Sequence, residues 1–476
     1  MRENFCRVHF RRLVGVVFVM FFAATVWAGS TPGILYRFTG APDGALPYAN
    51  VISDNGGSLY GTTIYGGTGS CPSAPLPDPS CGTVFRLKPP SRPGGSWTET
   101  VLYSFQGGND GSNPMGGLVR DDKGNLYGTT EFGGTGQCGY FSTIYGCGTV
   151  FQLTPPARAG APWTETVIYS FQTNYDAAFP VAALVFDNAG NLYGTTQGGG
   201  DGACSAFHYG DCGTVFELTP PSMTGGAWKE QVLYNFNNAV AGYFDGAYPT
   251  APLILDKQGN LYGTTTTGGD CGSNGTPLCG TVFQLSPPSS EGGAWTETIL
   301  YRFVDYTYGP AGGLLFDKQG NLFGTTVTAD SGDVVCFNGS DSSACGTVFE
   351  LTPPPQAGGS WTATSLYQFP DSLVGSPFAG LIFDHDGSVL STAVGELGRG
   401  IFGTAFRLSP PTTSGGAWTY KTVRLFRGGL DGASPYAFLV WGKGGALYGT
   451  TILGGESEGC PFYQSHGCGT VFRIIP

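Results

Sequence analysis

Apolar and polar positions alternate along the chain in runs of five to nine residues, and Gly, Pro, Asn or Asp punctuates each run. One stretch shows the scheme: strand a is Gly117-Leu-Val-Arg-Asp121, strand b Leu126-Tyr-Gly-Thr-Thr130, strand c Thr149-Val-Phe-Gln-Leu153 and strand d Trp163 to Phe171. Aromatic and β-branched residues fill these runs, and the short period with turn residues at both ends predicts β-strands. Asp-x-x-Gly-Asn joins a to b, where the Gly supplies the positive φ of a tight hairpin. Pro-Pro and a Gly-rich run ending at Trp join c to d.

The same four signals recur seven times. Leu-Tyr-x-Phe or a variant begins at Leu35, Leu102, Ile168, Leu233, Leu300 and Leu366, and is reduced to Arg-Leu-Phe at Arg424. Gly-Thr-Val-Phe recurs at Gly82, Gly148, Gly213, Gly280, Gly346 and Gly469, with Gly-Thr-Ala-Phe at Gly403. Units of about 66 residues, the sixth shorter by about nine, fill 34–476 without a linker and predict one domain. Four antiparallel strands repeated seven times predict an all-β, seven-bladed β-propeller. Strand d occurs with its leading Trp six times, and Ile34-Leu-Tyr-Arg-Phe38 offers the seventh copy from the other end of the chain. That strand is expected to complete the last blade and close the ring, which leaves no exposed sheet edge to cap. Gly61, Gly128, Gly194, Gly263, Gly324 and Gly449 sit inside strand b, where a glycine permits close backbone approach.

Composition supports this picture and excludes others. The 80 Gly and 33 Pro among 476 residues approach the level of low-complexity disorder, but 14% aromatic and only 12% charged residues oppose it. A helical bundle is excluded by the same Gly and Pro content. At the start, Arg2, Arg7, Arg11 and Arg12 precede an apolar run from Leu13 to Val26 and then Trp27-Ala28. This order predicts a signal peptide over 1–28, the apolar run being too short for a spanning helix. The formal net charge of −12 becomes −15 once that net +3 segment is removed. Such a surface repels nucleic acid and anionic lipid, so the expectation is a secreted or envelope monomer with no nucleic-acid partner and no membrane span after cleavage.

Thirteen cysteines include Cys6 in the leader. The other twelve fall in local pairs that bracket the b-to-c loop: Cys71 and Cys81, Cys138 and Cys147, Cys204 and Cys212, Cys271 and Cys279, Cys336 and Cys345, Cys460 and Cys468. Two Cys per loop without partner His do not make a four-ligand metal site. In an exported chain they predict disulfides, each closing a loop worth about 2.5 kcal/mol on the chain-entropy model. The sixth unit lacks both members.

Gly-Asn-Leu-Tyr-Gly-Thr-Thr at 124–130, Cys-Gly-Thr-Val-Phe at 147–151, and Trp-x-Glu followed by Leu-Tyr-x-Phe resemble the GloVer tandem repeat of bacterial exported proteins. The resemblance spans nearly the whole chain after the leader. It implies a propeller-type fold and an extracellular or envelope location, and it transfers no catalytic residues.

Antiparallel strands place the d-to-a and b-to-c loops on one face. There the sequence offers two sets of candidates. Asp-Gly-x-x-Pro carries Asp43, Asp110, Asp245 and Asp431, with Asp176 in a looser version, as turn formers or as a carboxylate ring at the channel mouth. The disulfide loops carry Tyr140, Phe141, Tyr145, Tyr209 and Tyr463, which either stack on a sugar or peptide or pack over their own disulfides. The Asp of the a-to-b turn lacks the series of oxygen ligands of a calcium loop. No nucleophile elbow, phosphate loop or zinc-protease motif is present, and no cofactor or metal is implied. The expected function is non-catalytic binding of a ligand, a glycan or a protein, through the disulfide-loop face. The alternative is a carbohydrate-active enzyme with acidic residues near the channel mouth.

Overall fold

The computed structural model describes residues 33–476 except 72–79, 93, 141–142, 159, 173–175, 202–211, 224, 238–244, 269–278, 291, 304–308, 328–345, 357, 370–375, 396, 398–399, 414, 456–459 and 461–465. The described residues form seven four-stranded antiparallel sheets, each ordered a-b-c-d from the axis outwards, as a seven-bladed propeller. Among them no helix is long and apolar enough to cross a membrane.

Strands b and c are five and six residues long in the second unit, Leu126–Thr130 and Thr149–Thr154, and pair without irregularity. Strand d, Thr164–Ser170, carries a bulge opposite Val150 and Phe151. The bulged residue is Ile168, the first position of Leu-Tyr-x-Phe. The same shift recurs in every unit, including Leu35 of the N-terminal strand. A bulge turns the strand locally, and here it aims the motif's Phe out of its own sheet. Strand a is shorter than its pattern suggests, only Val119–Arg120, because the residues before it are used at the axis instead of in the ladder.

Each blade interface has its own apolar cluster, and one contact is common to all seven. The Phe that ends strand d of one unit meets the Phe of strand c in the next. The pairs are Phe38–Phe85, Phe105–Phe151, Phe171–Phe216, Phe236–Phe283, Phe303–Phe349, Phe369–Phe406 and Phe426–Phe472, edge to face at 5.0–5.3 Å. Such a geometry is worth about 0.5–1.5 kcal/mol per pair beyond the area buried. The strand-c ring lies across the strand-b glycine that is its register partner, as Phe151 does with Gly128. A Cβ on Gly128 would stand 2.6 Å from Phe151 Cζ. That is the close approach the glycines were expected to serve, and its partner is an aromatic side chain rather than backbone.

The ring is closed by four kinds of contact. Gly33–Arg37 pairs with Thr470–Ile474 as strand d of the last blade. Phe38 packs on Phe85, Trp97 packs on Tyr448 at 6.0 Å, and Thr450 Oγ1 donates to the Ala49 carbonyl at 2.9 Å.

Two stability outcomes follow. Gly128→Ala should cost about 1–3 kcal/mol in urea unfolding through overpacking against Phe151. Phe151→Ala should cost about 3–5 kcal/mol. Deleting residues 33–38 should lower the midpoint and lose the cooperativity of a single transition, whereas wild-type unfolding in that deletion would refute closure.

Candidate functional site

The d-to-a loop ends in every unit with Pro-x-small-x: Pro47, Pro114, Pro180, Pro249, Pro310, Pro377 and Pro435. The small residue comes within reach of the preceding blade. Its carbonyl accepts from the first strand-b Thr of that blade, Thr62 to Gly116 at 3.1 Å, Thr129 to Ala182 at 3.3 Å and Thr325 to Ala379 at 3.1 Å. Six of the seven segments are drawn around the axis by such bonds; Thr264 Oγ1, at the remaining interface, makes none among the described residues. The residues on either side of the small one then face inward and line a cavity of about 260 Å³.

All seven units contribute to its wall. One sector, from the first, sixth and seventh units, is aromatic: Tyr48 stacks on Tyr436 at 5.3 Å and 24°, and Phe378 lies 5.0 Å from Tyr436. Phe438 completes this sector. The opposite sector holds Val181, Ala183, Thr250 and Ala311. Asn50, Gln197 and Thr266 supply polar groups, the last two from the residue that follows strand b. Both kinds of lining segment begin at the d-to-a and b-to-c loops, so the cavity opens toward the disulfide-loop face. Glu131 occupies in the second unit the position of Gln197 and Thr266. It is 8% exposed, and burial raises its pKa to about 8.

The Asp-Gly aspartates stand elsewhere. Asp43 accepts from Tyr36 Oη at 3.0 Å and from the Thr39 amide at 3.0 Å. Asp110 accepts from Tyr103 Oη and the Gln106 amide, Asp176 from Tyr169 Oη and the Gln172 amide, and Asp245 from Tyr234 Oη and the Asn237 amide. In the last unit Arg424 replaces the tyrosine and meets Asp431 in a 2.7 Å ion pair. Each carboxylate thus clamps its loop to the outermost strand of a different blade. The a-to-b aspartates shape their turns, as Asp121 does by accepting from the amides of Lys123 and Asn125. Among the described residues no cluster could hold a metal ion.

Disulfides join Cys71 to Cys81, Cys138 to Cys147 and Cys460 to Cys468, with Cα separations of 5.4, 4.8 and 5.6 Å. Cys212 and Cys279 are also disulfide-bonded. Their sequence partners Cys204 and Cys271, and both Cys336 and Cys345, lie outside the described residues. So do Phe141, Tyr209 and Tyr463, and of Tyr140 only the backbone is described. Tyr145 packs on Phe132 at 5.6 Å. The cavity residues Tyr48, Phe378, Tyr436 and Phe438 were not singled out from sequence. The signal was available: within a uniform repeat, the position after the shared Pro runs Tyr, Met, Val, Thr, Ala, Phe, Tyr.

Residues 140–338 match the family model described as the Gloeobacter/Verrucomicrobia repeat. Over that span the chain carries Gloeobacter/Verrucomicrobia repeats. The matched span runs from the b-to-c loop of the second unit to that of the fifth, and the same motifs continue on both sides of it. No curated protein matches the sequence. Among solved structures the chain is similar to PorZ, described as an essential bacterial surface component of the type-IX secretion system of Porphyromonas gingivalis, at 16% identity and a TM-score of 0.40. The similarity covers 77% of this chain and 42% of the PorZ chain, so this chain spans less than half of that protein.

The repeat also places glutamates against the aspartate clamps. Burial, and then the negative charge of the neighbouring aspartate, raises Glu99 to about 7 and Glu165, Glu230 and Glu297 to about 8. An acid whose pKa rises on folding holds its proton more tightly in the native state, so ionising it destabilises the fold. The ordinary glutamate value is 4.5, so stability is full below that pH and falls as pH rises through about 7 to 8. The melting temperature should therefore drop between about pH 5.5 and pH 8.5, and the triple change Glu165→Gln, Glu230→Gln, Glu297→Gln should flatten that drop. A wild-type profile that rises over this range would overturn the assignment.

Proposed function

We propose that this protein is an exported, non-catalytic propeller that binds a ligand or partner through its disulfide-loop face and the channel beneath it. The observation that carries this reading is the cavity itself. It is concave, largely apolar, walled on one side by aromatic rings, and supplied with a few amide and hydroxyl groups, as ligand sites usually are. The b-to-c loops with Tyr140, Phe141, Tyr209 and Tyr463 would add contacts around its mouth. Asp43, Asp110, Asp245 and Asp431 would serve by fixing the d-to-a loops that carry the lining residues.

Export is supported by the disulfides, which persist in oxidising compartments, and by the leader expected over 1–28. The ligand would be a glycan, a small molecule or a protein segment. Glycoside hydrolysis needs two carboxyl groups across one cleft. Among the described residues the cavity wall holds none, and Glu131 is the single acid at the lining positions.

Screening a glycan and metabolite array with the secreted protein, beside a hydrolysis assay on the same compounds, tests this. Binding without turnover is expected, weakened about tenfold or more by Phe378→Ala with Tyr436→Ala while the circular dichroism spectrum is retained. Turnover lost on Glu131→Gln would overturn the non-catalytic reading. Array binding unchanged in the double variant would move the site off the channel.

A further inference from the structure

We propose that the central cavity takes a small organic cation, an alkyl- or methylammonium group, seated against the aromatic wall of Tyr48, Tyr436 and Phe378 with Glu131 as its counter-ion. This rests on the channel being the ligand site and names the class of ligand.

Three observations converge on a cation. First, the aromatic sector is continuous. Tyr48 and Tyr436 stack at 24°, and Phe378 tilts 44° against Tyr436 at 5.0 Å, so three rings from three units form one wall. Ring faces carry negative potential and attract ammonium groups, more strongly where water is excluded. Across from them the small side chains of Ala183 and Ala311 leave the open volume.

Second, the wall holds no Lys, Arg or His, and the chain as a whole is acidic at −12. An anionic ligand would find no partner there, while a cation is drawn in by the field of the whole molecule.

Third, Glu131 is a buried carboxyl with no counter-charge among the described residues. Its side chain makes no hydrogen bond or ion pair among the described residues, and burial alone accounts for its raised pKa. It follows strand b at the position from which Gln197 and Thr266 line the cavity, and its amide donates to the carbonyl of Asn113, two residues before the lining Met115. The titratable groups that face it are Tyr48 and, behind it, Tyr436, and burial pushes both phenols upward. Both stay neutral through the range in which Glu131 titrates. With the cavity empty, Glu131 is largely protonated near neutral pH. An ammonium group would favour the carboxylate, so binding would release a proton and tighten as pH rises through about 8.

Calorimetry with choline, its neutral carbon isostere 3,3-dimethyl-1-butanol, and glucose tests this on the full mature chain. Titrations at about pH 6.5 and pH 8.5, in buffers of different ionisation enthalpy, read the proton. Choline should bind several-fold more tightly at the higher pH with proton release, and the isostere about tenfold or more weakly. Glu131→Gln should weaken choline about tenfold and abolish both the pH dependence and the proton release. Gln197 already occupies the equivalent position in the next unit, so the amide is compatible with the fold, and the melting temperature checks it. Tyr436→Leu, which keeps bulk and removes the ring, should weaken choline without altering its pH dependence.

Equal binding of the isostere, choline binding indifferent to Glu131→Gln, or no binding of choline would each overturn the cation assignment. Glucose bound in place of choline, and lost in Tyr436→Leu, would overturn it while leaving the channel as the ligand site. Array binding untouched by Phe378→Ala with Tyr436→Ala would instead remove the channel reading itself.

Discussion

At each blade interface the Phe of Leu-Tyr-x-Phe strikes edge-on the Phe of Gly-Thr-Val-Phe in the next unit, and much else in the repeat is obliged by that contact. The first ring must leave the plane of its own sheet, and the bulge at the preceding Leu provides that turn. The second ring must lie flat across its own blade, over the register partner in strand b. Any side chain at that partner would occupy the ring's volume, so the position is Gly in six units. Ser391 stands there in the sixth, and its Oγ donates to the carbonyls of Ala379 and Gly380. Seven equal contacts of this kind also set blade spacing, and equal spacing is what allows a ring to close without strain collecting at one joint.

Closure has consequences at the axis. Where seven inner strands converge there is little room for a full ladder, and strand a pairs over two residues only. Backbone carbonyls freed from the ladder still need donors. Strand-b threonines supply them across six of the seven interfaces, from Thr62 to Gly116 through to Thr450 and Ala49 at the closing joint. The outer edge solves a different problem with the same economy of parts. A long loop returns from the outermost strand to the axis, and one aspartate ties it down by bonding both a tyrosine and a backbone amide. Arg424 shows that the tie, rather than the tyrosine, is what the site requires, since a half-buried ion pair to Asp431 replaces it.

Periodicity made the fold legible before any coordinates. Seven copies of the same strand and turn signals, with the odd strand displaced to the N-terminus, leave few architectures open, and the pairing of Gly33–Arg37 with Thr470–Ile474 is the one that displacement implies. The disulfide pairing of Cys71 with Cys81, Cys138 with Cys147 and Cys460 with Cys468 was equally visible, because local even pairs have few alternatives. The site was not. Asp43 and its counterparts drew attention because a carboxylate is chemically conspicuous. Which way each one turns depends on a tyrosine seven to eleven residues earlier on a strand at the far edge of the blade. A sequence pattern gives strand order and the face of each residue, but not the rotation of a loop side chain. Likewise Glu131 becomes notable only when the third dimension shows its burial beside the segment that carries Met115.

A ring of identical units would present a seven-fold symmetric wall, and few small ligands have that symmetry. Discrimination has to come from positions where the repeat departs from itself without weakening the interfaces that hold it. The residue after the shared Pro meets that condition. It faces the axis, outside the Phe–Phe contacts and the threonine bonds, so Tyr48, Met115, Val181, Thr250, Ala311, Phe378 and Tyr436 can differ at little cost to the scaffold. The large rings fall together in the first, sixth and seventh units, and the small residues lie opposite. The departure of the sixth unit is part of the same arrangement. Gly380 admits Phe438 of the seventh unit against its backbone, and Ser391 holds the carbonyl there. The irregularities therefore gather on the aromatic side of the channel, which is where a regular scaffold would need them to recognise an asymmetric ligand.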